Sequence, residues 1–222
     1  MPTIAIIGAG ANLGAAVTRR FAKEGFSVAL VSRHLGRVQD LAADLADETG
    51  AAVRGYSADV TDRDALRAAL QQASADLGPV EVLQYSPLPA KEFLRPVLET
   101  TVEDLQPALD FSVHGLLTAV HQVQQHMRVL GGGTVLLVNG GSAVRPVAHF
   151  AGTSVSFAAE SALGQMFHDA LKDDGIHVGQ LIIPGAIEEG HPNKDPEVLA
   201  EKLWTIHSEK GEFRTFAQGL DD

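Results

Sequence analysis

The chain contains no cysteine among its 222 residues, so disulfides, thiolate nucleophiles and cysteine metal sites are excluded at the outset. Aromatic residues make up 5% of it, and the two tyrosines, Tyr56 and Tyr85, leave few phenols for proton-transfer chemistry. No apolar run reaches the roughly 18 residues that read as a membrane span, so no membrane partner is expected. The N-terminus, MPTIAIIGAG, has no basic segment and does not read as a signal peptide. A cytoplasmic setting is the expectation. Positive charge is also scarce. Against 28 Asp and Glu stand 17 Lys and Arg, for a formal net charge of −11, with no basic cluster to offset it. Such a surface repels phosphate backbones, so no nucleic-acid partner is expected. The nine histidines lack the spacing of a metal pair on one helix backed by a carboxylate, and no metal is expected.

What the sequence has is regular alternation. Short apolar runs at 3–7, 27–32, 51–56, 80–85, 134–138 and 177–183 read as strands, with 213–218 as a short edge strand. Helical periodicity separates them at 13–23, 35–48, 62–77, 101–129, 153–171 and 196–208. The fourth of these is expected to kink at Pro107. Gly50 ends the second, and Asp62 opens the third. Strands apolar on both faces belong to a parallel sheet covered by helices. The fold class is therefore α/β: one doubly wound Rossmann-type domain over 1–222. The proline-rich loop at 86–96 is expected over the carboxyl edge of the sheet, where ligands bind in such folds.

The most informative motif is Ile7-Gly8-Ala9-Gly10-Ala11-Asn12-Leu13-Gly14, at the first strand–helix junction. Glycines there permit a tight turn and close approach of backbone to a pyrophosphate. The helix N-terminus adds free N–H groups and a positive dipole end. Leu13 occupies the third glycine of G-x-G-x-x-G, so the spacing is nearer G-x-x-x-G-x-G with Asn12 at the middle glycine. Asparagine tolerates a left-handed backbone better than most residues. No acidic residue closes the second strand; Ser32, Arg33 and His34 stand there. A guanidinium forks onto phosphate, so Arg33 favours a ribose 2′-phosphate, and hence NADP(H) over NAD(H).

The 8–14 turn, Ser32-Arg33, Asp59-Val60 after the third strand and Pro184-Gly185 after the sixth together resemble the short-chain dehydrogenase/reductase family. The resemblance implies a cofactor site made of Gly8, Gly10, Ala11, Asn12, Leu13, Gly14, Ser32, Arg33, His34, Asp59, Val60, Ser86, Pro87, Pro184, Gly185 and Ile187, with Asp59 at the adenine. It also implies a small-molecule substrate, apolar or carbonyl-bearing, and a homodimer or homotetramer. Val120, Val123 and Met127 offer an apolar stripe for subunit pairing, or alternatively for the sheet.

The catalytic pattern departs from the family. Its Tyr-x-x-x-Lys aligns with Ser156 and Glu160, so both phenol and cation are missing. The family's serine is matched by Ser142, with Gly141 or Ala143 in that place after a small shift, and its helix asparagine by Ser112. A serine is a far weaker acid than a phenol beside an ammonium, and a carboxylate at 160 opposes negative charge on a reacting oxygen. Tyr85 at the end of the fourth strand is the one phenol near the expected site. His149, and with it His114, are further acid–base candidates. Phe93, Leu94, Phe150 and Phe157 suggest an apolar pocket wall, or equally belong to the core. The lid after Pro184-Gly185 is nearly absent, and Glu188 or Glu189 replaces a threonine that the family often carries there. Three functions fit: an atypical NADP(H) oxidoreductase, a dinucleotide-binding sensor or inactive subunit without turnover, or a non-redox cyclase or lyase on the same fold.

Overall fold

The computed structural model describes residues 1–221. Its elements run β1 (Thr3–Ile7), α1 (Leu13–Lys23), β2 (Ser27–Ser32), α2 (Leu35–Thr49), β3 (Val53–Ser57), α3 (Arg63–Leu77), β4 (Val80–Tyr85), α4 (Val102–Leu109), α5 (Gly115–Leu130), β5 (Gly133–Gly140), α6 (Ala151–Leu171), β6 (Ile176–Ile183), α7 (Pro196–Glu209) and β7 (Arg214–Phe216). The seven strands form one parallel sheet in the order β3-β2-β1-β4-β5-β6-β7. The order reverses between β1 and β4, and a crevice opens at the carboxyl ends of strands at such a point.

Each face of the sheet carries its own core. One packs Leu66 and Leu70 of α3, Leu116, Val120, Val123 and Met127 of α5, and Phe157 of α6 against the strands. The other packs Val17 and Phe21 of α1, Val38, Ala42 and Leu45 of α2, and Leu199 and Leu203 of α7. Val120, Val123 and Met127 are therefore buried against the sheet and present no stripe to a second subunit.

Local chemistry accounts for most boundaries. Asp62 caps α3 by accepting from the N–H groups of Asp64 and Ala65. Gly50 ends α2 in the left-handed conformation at φ 70°. The third strand starts at Val53, two residues later than expected. The expected single helix at 101–129 is two: α4 contains Pro107 and runs into a π-helical segment, Asp110–His114, before α5 begins. The break thus falls three residues beyond the proline. A wide turn of this kind frees backbone carbonyls, and that of Phe111 accepts the Tyr85 hydroxyl proton.

Candidate functional site

The first βα turn hangs from the neighbouring strand: the N–H groups of Gly8 and Ala9 both donate to the Val31 carbonyl, at 3.0 and 3.1 Å. Gly8 sits at φ +86°, and a Cβ there would strike the backbone of Ser86 and Pro87, so the exit of β4 closes directly over the turn. At Gly10 a Cβ would meet nothing within 4 Å. The backbone there faces open space, a cradle kept clear by the absence of a side chain. Asn12 precedes α1 with φ −90° and makes no side-chain cap. It is not left-handed, which removes the conformational reason expected for asparagine here; in the first turn the Ala15 N–H donates to the Gly10 carbonyl at 3.0 Å, and the Asn12 side chain caps none of the N–H groups. These features suit a diphosphate.

A cleft of about 560 Å³ lies along this turn. Gly8, Gly10, Ala11, Asn12, Leu13 and Gly14 form one wall, and Ser86 and Pro87 the floor over β1. Gly185, Ala186 and Ile187, after β6, form the far wall, with Asn139, Gly140 and Phe157 between them. Pro184 precedes the far wall and packs near Gly141. Ser32, Arg33 and His34 end β2 beside the turn, and Arg33 and His34 are exposed. The Arg33 side chain has no ion-pair partner among the described residues, while its carbonyl accepts from Ser57. Asp59, half-buried after β3, accepts from both the N–H and the hydroxyl of Thr61, and Val60 is buried.

The catalytic candidates separate sharply. Tyr85 is fully buried on the sheet face beneath α5; its hydroxyl donates to the Phe111 carbonyl and lies against Gly115. Burial, followed by the nearby Glu160 and Asp59, raises its pKa well above 10. A phenol so held has no access to the cleft, which corrects its expected role as proton donor. His149 is exposed on the segment before α6 and does not line the cleft. His114 binds Asp110 at 2.6 Å and lines a separate surface hollow with Arg63 and Arg67. Ser142 is half-buried on a short turn, Gly141–Ala143, and does not line the cleft. Of the expected apolar wall, Phe157 alone lines the cleft; Phe93 packs edge-on against Phe111 at 5.6 Å, while Leu94 and Phe150 are exposed.

Ser156 and Glu160, one turn apart on α6, are buried together. Ser112, from the π-helical segment, donates to Ser156 at 3.3 Å. Glu160 accepts from the Asn139 amide at 3.0 Å. Burial pushes the Glu160 carboxyl up to about 8, against the weaker pull of its hydrogen bonds with Asn139 and Ser112. At neutral pH it is mostly a carboxylic acid. Burial thus disfavours the negative charge expected at position 160, and the carboxyl accepts a hydrogen bond there.

Asn139 is the residue that links this pair to the cleft, and sequence reasoning missed it. Its amide oxygen accepts from Gln180 at 2.8 Å; Gln180 in turn accepts from Ser161 at 2.9 Å and from the Arg214 guanidinium at 3.0 Å. A continuous polar chain therefore runs from the cleft wall through the sheet interior to the edge strand. The signal was an Asn and a Gln inside otherwise apolar strands, where each must find partners.

Comparison with known proteins agrees with this layout. The model of the short chain dehydrogenase family matches residues 2–197. The chain is similar to D-threitol dehydrogenase of Mycolicibacterium smegmatis, 30% identical over 131 residues, which are 59% of this chain and 49% of that enzyme. It is also similar to a probable galactose dehydrogenase of Rhizobium meliloti, 28% identical over 184 residues, covering 83% of this chain and 71% of the other. The match to the threitol enzyme thus spans about half of that relative's length. In fold it resembles L-sorbose reductase from Gluconobacter frateurii, solved with NADPH and L-sorbose: TM-score 0.87 at 19% identity, covering 100% of this chain and 97% of that one. No helix among the described residues is long and apolar enough to cross a membrane. Sheet order, glycine turn and a match over residues 2–197 lead to one conclusion: the chain belongs to the short chain dehydrogenase family.

Proposed function

We propose that this chain is an NADP(H)-dependent oxidoreductase with a non-standard active site, acting on a small carbonyl or alcohol. The observation that carries the reading is the glycine-walled cleft at the switch point, with the free guanidinium of Arg33 at the end of β2 beside it. Dehydrogenase relatives and an NADPH-bound fold neighbour support it. When bound, the nicotinamide cofactor supplies the hydride chemistry. The chain's own residues do the rest. The Gly8 to Gly14 turn and the uncapped start of α1 hold the diphosphate, Arg33 and Ser32 take the 2′-phosphate, and Asp59 lies on the adenine side. Gly185 and Ile187 form the wall opposite the glycine turn, and Asn139, backed by Glu160, offers an amide between the two walls.

One observation favours a second reading, cofactor binding without turnover. Neither Tyr85 nor Ser156 faces the cleft, and no other phenol is near it. General acid help is worth roughly 10² to 10⁴ in rate, so its absence makes turnover on simple ketones low. Calorimetric titration of wild type and Arg33→Ala with NADPH and NADH tests the cofactor claim. NADPH should bind more tightly, and the mutation should remove about tenfold or more of that preference, as expected for a charge-assisted phosphate contact. Equal affinities in the wild type would refute it. NADPH oxidation with a broad carbonyl panel then separates the two readings.

A further inference from the structure

None of the residues that line the cleft is a lysine or an arginine. The diphosphate of a dinucleotide carries two negative charges, and a helix N-terminus offsets only about half of one. A cation is therefore missing from the cleft as its lining defines it. The structure places one against the far wall. After β6 the chain turns at Gly185 and folds back on itself. The N–H of Glu188 donates to the Lys194 carbonyl at 3.1 Å, and His191 Nδ1 accepts from the N–H of Lys194 at 3.2 Å. Asp195 then caps α7 while holding the N–H of Gly190. The fold-back buries Lys194, which is 9% exposed. Its Nζ lies 3.6 Å from where a Cβ on Gly185 would stand, and Gly185 is part of the cleft wall.

A buried lysine needs a partner. The one present is Glu188, at 3.9 Å and itself more than half exposed, so the pairing is loose and largely screened. No other ion-pair partner of Lys194 exists among the described residues. The stem is already fixed by burial, so little side-chain entropy remains to be lost when the ammonium engages an anion. Gly185, at φ +77° and with no side chain, leaves the space between ammonium and wall open.

We propose that Lys194 is a cofactor-binding residue: its ammonium leaves Glu188 and takes the dinucleotide diphosphate from the wall opposite the glycine turn. This rests on the dinucleotide reading above. Glu188 is then a competitor that holds the lysine until the diphosphate arrives. Because the diphosphate is common to both cofactors, the contact is blind to the 2′-phosphate, unlike that of Arg33.

The test is fluorescence titration of the full chain with NADPH and with NADH at low and high salt, using wild type, Lys194→Met, Lys194→Arg and Glu188→Gln. The ligand-free melting temperature of each variant serves as the folding control. Lys194→Met should weaken both cofactors about tenfold at low salt, the scale of one charge-assisted hydrogen bond, and flatten the salt dependence. Lys194→Arg should stay within about threefold of wild type, and Glu188→Gln should tighten both cofactors. Unchanged binding in Lys194→Met overturns the proposal, and a loss confined to NADPH overturns its assignment to the diphosphate. If Lys194→Met melts well below wild type, the opposite-sign effect of Glu188→Gln decides, and its absence overturns the proposal. A wild type that binds neither cofactor is a different result, which removes the dinucleotide reading itself.

Discussion

Replacing Glu160 with Gln tests the buried carboxyl directly. Glu160 is 2% exposed, its pKa pushed from 4.5 in the unfolded chain to about 8 in the folded one, chiefly by burial. The folded state therefore holds a proton that the unfolded state releases between those two pH values. Stability must then fall as pH rises through the window, by up to about 1.4 kcal/mol per pH unit, and level off above 8. Gln keeps the shape and the oxygen that accepts from Asn139, and it cannot ionise. The advantage of Glu160→Gln over wild type should grow by about 3 kcal/mol between pH 5 and pH 7.5. For a domain of this size that is a melting difference increasing by roughly 6 to 12 °C. Urea unfolding of both proteins at half-unit pH steps measures it. Parallel stability–pH curves would show that Glu160 is ionised in the fold or reached by water, and would refute the assignment of a neutral acid at this position.

Two further predictions concern the rest of the molecule. His177 is buried on β6 with its Nε2 unpartnered, and burial, then the charges of His168, Lys210 and His207, push it down to about 4. A depressed histidine costs stability as pH falls from 6.5 towards 4, since the unfolded chain takes the proton first; His177→Leu should shift the acid unfolding midpoint to lower pH, and an unmoved midpoint counts against the burial argument. The protein should also form a homodimer or homotetramer. With Val120, Val123 and Met127 turned to the sheet, Val155 and Met166 on α6 are among the exposed apolar residues open to contact. Light scattering at micromolar concentration should give a multiple of 23.4 kDa that Met166→Asp lowers; a monomeric mass for the wild type refutes the assembly.

Much of the fold was legible because it is locally encoded. The Gly8 turn needs a positive φ and room for the Pro87 backbone, and both demands are written as glycine. Asp62 and Gly50 mark their helix ends through capping alone. What was missed is tertiary in origin. Pro107 suggested the kink, but the break at Asp110–His114 coincides with a cross-chain demand, the Phe111 carbonyl that the buried Tyr85 hydroxyl requires. Tyr85 itself was misplaced for a related reason. A residue at the carboxyl end of a strand lies near the cleft, but the alternation of side chains sends this one under α5. Lys194 carries no local signal, because its position depends on a fold-back after β6.

The pair at 156 and 160 shows how an active site can change without disturbing the sheet that carries it. The family pattern sets a phenol beside a cation, one charge in a polar pocket. Ser156 with an ionised Glu160 would instead bury an anion with no adjacent cation, since Arg214 is reached only through Gln180 and Asn139. Protonation of Glu160 removes that cost and leaves a neutral hydrogen-bonded cluster of Ser112, Ser156, Asn139 and Glu160. The same change decides the chemistry. A carboxyl with a pKa of about 8 has the proton affinity that general acid catalysis at neutral pH calls for. Its position does not suit that role. Asn139 lines the cleft and Glu160 sits behind it, so no oxygen of a bound carbonyl compound reaches the proton directly. Loss of that proton would also leave the buried anion which the fold is arranged to avoid. The glycine turn and the end of β2, on which the cofactor reading rests, lie outside this cluster. The substitutions at 156 and 160 thus bear on the proton-transfer half of the proposed function and not on its phosphate contacts.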